Sequence, residues 1–75
     1  MHPTNLVEDR ARQVVIDYTN HESVRRERTI IPHQISFNRT PYHPDPQWIM
    51  EATDVERNVV RRFAMKDVHS WRAVS

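Results

Sequence analysis

The chain has no glycine and no cysteine among its 75 residues. Without glycine, every reversal must be made by a residue that carries a side chain, and the left-handed backbone conformation falls to asparagine, which tolerates it best. Without cysteine, neither disulfides nor thiolate metal ligands can staple so short a chain, so stability must come from apolar packing or self-association. The same absence fits a reducing compartment. Lysine is nearly missing too: ten of the eleven basic residues are arginine, and only Lys66 is lysine. Arginine offers a planar fork to carboxylate and phosphate where lysine offers a point charge. Against ten acidic residues the formal net charge is +1, which argues against nonspecific grip on a nucleic-acid backbone. No run approaches the roughly 18 apolar residues of a membrane span, and "MHPTNLVEDR" lacks the basic-then-apolar layout of a signal peptide. The expectation is a cytoplasmic protein with no membrane partner.

What is present reads as one domain over residues 1–75, small enough to bury only about 60% of the surface its unfolded chain exposes. In "TNLVEDRARQ" Asn5 can cap a helix over about 5–12, with Glu8 reaching back to complete the cap. From Gln13 the period changes to two: Val14, Ile16 and Tyr18 alternate with the more outward Val15 and Asp17, a half-buried strand. "TNHES" breaks it, and "VRRERTII" resumes as a second strand that enters the core near Ile30. Pro32 requires a bend or an edge before a third short strand, "QISF", with Ile35 and Phe37 on one face. "NRTPYHPDPQ" holds three prolines between Pro41 and Pro46 and reads as a semi-rigid extended loop.

The last hairpin, "QWIMEATDVERNVVRRFAMKDV", fixes its own register. Asn20, Asn38 and Asn58 fall at the three predicted reversals. A four-residue loop Val55–Asn58 with Asn58 left-handed pairs Asp54 with Val59. Met50 then faces Phe63, Trp48 faces Met65, Ala52 faces Arg61, and on the other face Glu51 lies across from Arg62. A five-residue loop would mix the apolar and charged faces. The register sends Arg62 outward and Arg61 onto the apolar face. There Arg61 must snorkel to solvent, pair internally with an acid such as Asp54 or Glu27, or face an anionic ligand. Trp48 is expected in the core and Trp71, after the last strand, partly exposed.

The run "VIDY…RRERTIIPHQISF…QWIMEATD…VVRRFAMKDV" resembles the WYL domain, a bacterial module named for a Trp-Tyr-Leu triplet and found mostly behind helix-turn-helix domains in transcription regulators. The triplet position holds Trp48, Ile49 and Met50; Pro32 and Ile35 match the family's P-x-x-L element, Ala52 its following alanine, and Arg61, Phe63, Met65 and Val68 its R-x-F-x-L-x-x-I ending. The resemblance spans Val14 to Val68. It implies a small, strongly bent antiparallel β-barrel of the SH3-like or Sm-like type over about 13–72, and a ligand-binding or regulatory role. Two features depart from the family: these residues hold no helix-turn-helix, and a proline-rich stretch between Phe37 and Gln47 stands where a short turn is usual.

The expected function is therefore a non-catalytic module for a nucleotide or single-stranded nucleic acid, using Arg61, Arg28, Arg39 and His43. The alternative is a subunit that binds a protein partner or forms a homo-oligomer through an exposed strand edge or the surface near Trp71. His2, His21, His33, His43 and His69 show no zinc-like spacing, and no nucleophile motif or glycine-rich phosphate loop is present, so neither a metal nor a cofactor is expected.

Overall fold

A computed structural model of the protein describes residues 12–41 and 43–74, with only the backbone of His43. It contains five strands, β1 (Val14–Thr19), β2 (Arg25–Thr40), β3 (His43–Asp54), β4 (Val59–Ala64) and β5 (Val68–Ala73), with a short 3-10 turn, Met65–Asp67, before the last. All neighbours are antiparallel, in one sheet of order β4-β3-β2-β1-β5. The expected mainly β architecture is present. The helix expected over 5–12 lies outside the described residues except for Arg12.

The sheet curls on itself but does not close into the expected barrel. In a flat sheet β1 and β4 would stand three strand spacings apart, about 14 Å. Instead the Ala64 N–H donates to the Tyr18 hydroxyl at 3.1 Å, and the Tyr18 and Phe63 rings meet edge to face at 4.9 Å. Closure fails because the outer strands follow different neighbours, β4 along β3 and β5 along β1, and among the described residues no ladder joins them. The concave side holds the core: Ile16 and Tyr18 from β1, Ile30 from β2, Met50 and Ala52 from β3, and Phe63 from β4, with Val14, Met65 and Val68 packed against it.

The long strand β2 makes the curl possible. Its first part pairs with β1, from Thr19 opposite Arg25 to Val14 opposite Ile30. From Ile30 onward it pairs with β3. The two strands read on either side of Pro32 are thus one, because Pro32 comes just after β1 has ended and the strand has a single neighbour, a position where proline is tolerated. A register shift between Pro32 and Gln34 leaves His33 as an extra residue, and such a bulge bends a strand.

The expected proline-rich loop is strand over residues 38–40 and 43–47. It is extended, as its prolines require, but paired: Asn38 lies opposite Gln47 and Thr40 opposite His43. The ladder from β3 to β4 begins only at Ile49, so Pro44 and Pro46 occupy a stretch with one open side. Asn38 is therefore not at a reversal. At the first turn the positive φ belongs to Ser23 (65°) rather than Asn20, whose side-chain oxygen accepts from the N–H groups of Glu22 (2.9 Å) and Val24 (3.0 Å).

The last hairpin has the expected loop and register. Asn58 is left-handed with φ of 54°, and its N–H donates to the Asp54 carbonyl at 2.7 Å. Met50–Phe63, Ala52–Arg61, Glu51–Arg62 and Asp54–Val59 are all paired. The Trp48–Met65 pair does not form, because β4 stops at Ala64 opposite Ile49 and Met65 opens the 3-10 turn.

Two substitutions test these links by urea unfolding. Asn58→Val should destabilise the fold by about 1–2 kcal/mol, since a β-branched residue resists the left-handed conformation, while Asn58→Gly should be near neutral. Tyr18→Phe should cost about 1–3 kcal/mol by orphaning the buried Ala64 N–H; an unchanged midpoint would show that this bond does not hold the curl.

Candidate functional site

Along β3 the residues Met50, Ala52 and Asp54 share the core-facing parity, and all three are buried. An acid thus ends an apolar row. Asp54 is only 2% exposed, and two arginines come to it from different parts of the sheet. Arg28, on the β1-paired half of β2, brings Nη1 to 3.7 Å from Asp54 Oδ2; Arg61, on β4, brings Nε to 3.5 Å from the same oxygen. Neither contact is a hydrogen bond: among the described residues Asp54 Oδ2 and the Nε atoms of both arginines are buried with no hydrogen-bonding partner. The other oxygen, Oδ1, accepts from the Arg57 N–H at 3.3 Å.

Arg28 contradicts the expectation that β2 enters the core only at Ile30. It is 8% exposed, and its guanidinium lies 6.0 Å from the Tyr18 ring centroid, within reach of a cation–π contact. Burial pushes its pKa down, as does the nearby charge of Arg26; Asp54 opposes this, while Arg61 and Arg57 add to the lowering. Its surroundings are short of negative charge. Among the described residues Arg57 makes no ion pair.

Arg28, Arg57, Arg61 and Arg62 line a cavity of about 590 Å³ between β4 and the β1–β2 turn, and among the described residues Glu22 and Glu51 are its acidic lining. Its apolar wall includes Ile49, Val60 and Phe63. The volume falls in the range of small-molecule sites, and such sites combine an apolar wall with a few convergent polar groups.

The structure therefore unites Arg28 and Arg61, and Arg39 does not line their cavity. Arg61 shares Asp54, one of the two internal acids anticipated for it, yet its side chain stays 40% exposed at the cavity. Glu27 instead takes a forked contact from Arg72, at 2.9 and 3.4 Å. Arg39 lies at a smaller cavity with Gln34, Asn38 and Arg62. The His43 side chain is outside the described residues. Arg62 lies across from Glu51 as expected, its Nε 3.9 Å from Glu51 Oε2, but it also lines both cavities. Sequence reasoning missed Arg57, because a turn residue carries no face parity. Among the described residues no group of three His, Asp or Glu side chains converges as a metal site would require, and no helix is long and apolar enough to cross a membrane.

Trp48 overturns its expected place in the core. Trp48 is 57% exposed and Phe37 58%, the two rings meeting edge to face at 5.4 Å with Ile35 alongside. They share the core-facing parity, but the β2–β3 hairpin runs past the point where β1 ends, so no described strand covers them. Trp71 is partly exposed, as expected, but it lies within β5 and not after the last strand, because the chain leaves the 3-10 turn to pair with β1. Comparison of the chain with family models, with curated proteins and with solved structures returned no match.

The cluster makes a stability prediction. Asp54→Ala leaves buried Arg28 without its counter-charge and should cost about 3–5 kcal/mol. Adding Arg28→Met should restore part of that loss in urea melts, because the charge needing compensation is gone. If the double variant is no more stable than Asp54→Ala, Asp54 acts through its bond to the β3–β4 turn instead.

Proposed function

We propose that the protein is a non-catalytic, ligand-binding or regulatory module that recognises an anionic ligand of nucleotide type, free or as a short single strand, at the cavity walled by Arg28 and Arg61. One observation carries the reading: among the described residues two arginines share a single buried carboxylate without hydrogen-bonding to it, beside a third arginine that makes no ion pair, at the wall of a cavity large enough for a small ligand. A phosphate there would supply the acceptors that Asp54 does not, and a forked, charge-assisted bond is strengthened where the site is partly shielded from water. The apolar wall suits a base or another planar group.

We read the curled sheet as an open variant of the SH3-like or Sm-like topology. In support are the strand order, the shared long strand and the short 3-10 turn before the last strand. The relation to the WYL domain rests on the sequence motifs, and with it the regulatory role.

Calorimetric titration with nucleoside mono-, di- and triphosphates and with short oligonucleotides tests the reading. Arg61→Lys keeps the charge but loses the planar fork, and should weaken binding roughly tenfold, about 1.4 kcal/mol. Arg62 lines the same cavity but is already held beside Glu51 and is more exposed, so Arg62→Lys should weaken binding clearly less than Arg61→Lys. Equal affinities for the two variants, or an Arg61→Lys effect confined to the unfolding midpoint, would remove Arg61 from the site. Tighter binding of oligonucleotides than of mononucleotides, falling with salt, would identify the single strand as the ligand.

A further inference from the structure

An open sheet edge is a template for another strand, and proteins guard such edges with proline, bulges or charge. Among the described residues four stretches of this sheet have one open side, and three of them are guarded. On β2 beyond Ile30 the guards are Pro32 and the extra residue His33; on β3 before Ile49 they are Pro44 and Pro46. On β4 the Ala64 N–H is already taken by the Tyr18 hydroxyl, and the strand carries Arg61 and Arg62.

The fourth, β5, has no proline, and its one arginine, Arg72, is forked to Glu27. Its ladder with β1 carries an extra residue at His69, but from Ser70 to Ala73 it is regular. The Val74 N–H donates to the Gln13 carbonyl, and backbone groups in an antiparallel ladder alternate between the two sides. Trp71 and Ala73 therefore turn their N–H and C=O groups to the open side. The Trp71 side chain is 52% exposed on the same strand.

We propose that the β5 edge is a self-association surface, on which β5 of a second copy pairs antiparallel with Trp71 opposite Trp71 of the other copy. This register sets Ser70 against Arg72 and His69 against Ala73, so no unpaired like charges meet. Arg72 is neutralised by its fork to Glu27, and Arg25 next along the sheet by its fork to Asp17 at 2.9 and 2.8 Å. Charge favours this edge over β4, whose two arginines have only looser contacts, to Asp54 at 3.5 Å and Glu51 at 3.9 Å, and would meet those of a second copy beside the cavity. The occupant is a second copy because the strand is complementary to itself: its open donors and acceptors match, and each tryptophan covers the other. This surface is separate from the cavity, so dimerisation and ligand binding stand or fall independently.

Sedimentation equilibrium on the full chain over a range of concentrations tests the proposal. The mass should rise from 9.0 kDa toward twice that value. Ala73→Pro deletes one open-side N–H, Trp71→Ala deletes the exposed ring, and each should abolish the rise. Trp71→Ala removes a half-exposed ring and should lower the monomer's unfolding midpoint less than Ala73→Pro, so that a folded Trp71→Ala chain keeps the test valid should the proline variant fold poorly. A parent chain that stays at 9.0 kDa at every concentration overturns the proposal. So does a dimer that survives Trp71→Ala and Ala73→Pro alike, and so does growth beyond twice the monomer mass, which indicates head-to-tail joining of β4 to β5.

Discussion

A sheet with no described helix on its concave side must bury that side against itself, and here a single strand carries the constraint. From Arg25 to Ile30, β2 belongs to β1; from Ile30 to Thr40 it belongs to β3. Everything else follows from that change of partner. It carries β1 over β3 and β4, packs Ile16 and Tyr18 against Met50 and Phe63, and brings Arg28 from one half of the sheet to Asp54 and Arg61 of the other. It also leaves the β2–β3 hairpin projecting beyond β1, which is why Phe37 and Trp48 are uncovered while Met50, two residues along from Trp48, is buried. The core and the candidate site are products of one bend.

How much of this the amino-acid sequence discloses depends on the range of the physics involved. The last hairpin was legible because alternation and turn chemistry act over neighbouring residues: Asn58 had to be left-handed, and only a four-residue loop kept Arg62 with Glu51 and Phe63 with Met50 on opposite faces. β1 was legible for the same reason. β2 was not, because proline in a strand is forbidden or tolerated according to what lies beside it, and the end of β1 at Val14 is not visible at Pro32. The same holds for Pro44 and Pro46, read as loop formers although the open side of β3 accommodates them. Trp48 has the right parity for the core; parity gives the face but not whether another layer reaches it.

The site was half legible. Alternation along β3 and β4 put Arg61 on the apolar face and Asp54 on the same face, so their meeting was within reach of sequence reasoning. Arg28 was named as a site residue, but its burial depends on which strand lies across from β2. The cluster has the character of an unfinished ion pair: one carboxylate, two guanidiniums at distances too long for hydrogen bonds, and a pKa on Arg28 pushed down by burial and by other arginines. The outer pairs, Arg25–Asp17 and Arg72–Glu27, are the reverse. They are short, forked and exposed, and each arginine holds its carboxyl below the usual range. Exposed pairs of this kind stabilise little, whereas a buried cluster short of acceptors is where an added anion changes most.

The bond from Ala64 to Tyr18 gives the molecule an internal reporter. Ala64 belongs to β4, an edge strand whose outward amide protons would ordinarily exchange with solvent at the rate of local fraying. Its own proton is held instead by a hydroxyl from β1, which is not its neighbour in the sheet. Hydrogen exchange at this one amide therefore measures how often the two halves of the curled sheet part, while the adjacent ladder of β3 and β4 remains intact.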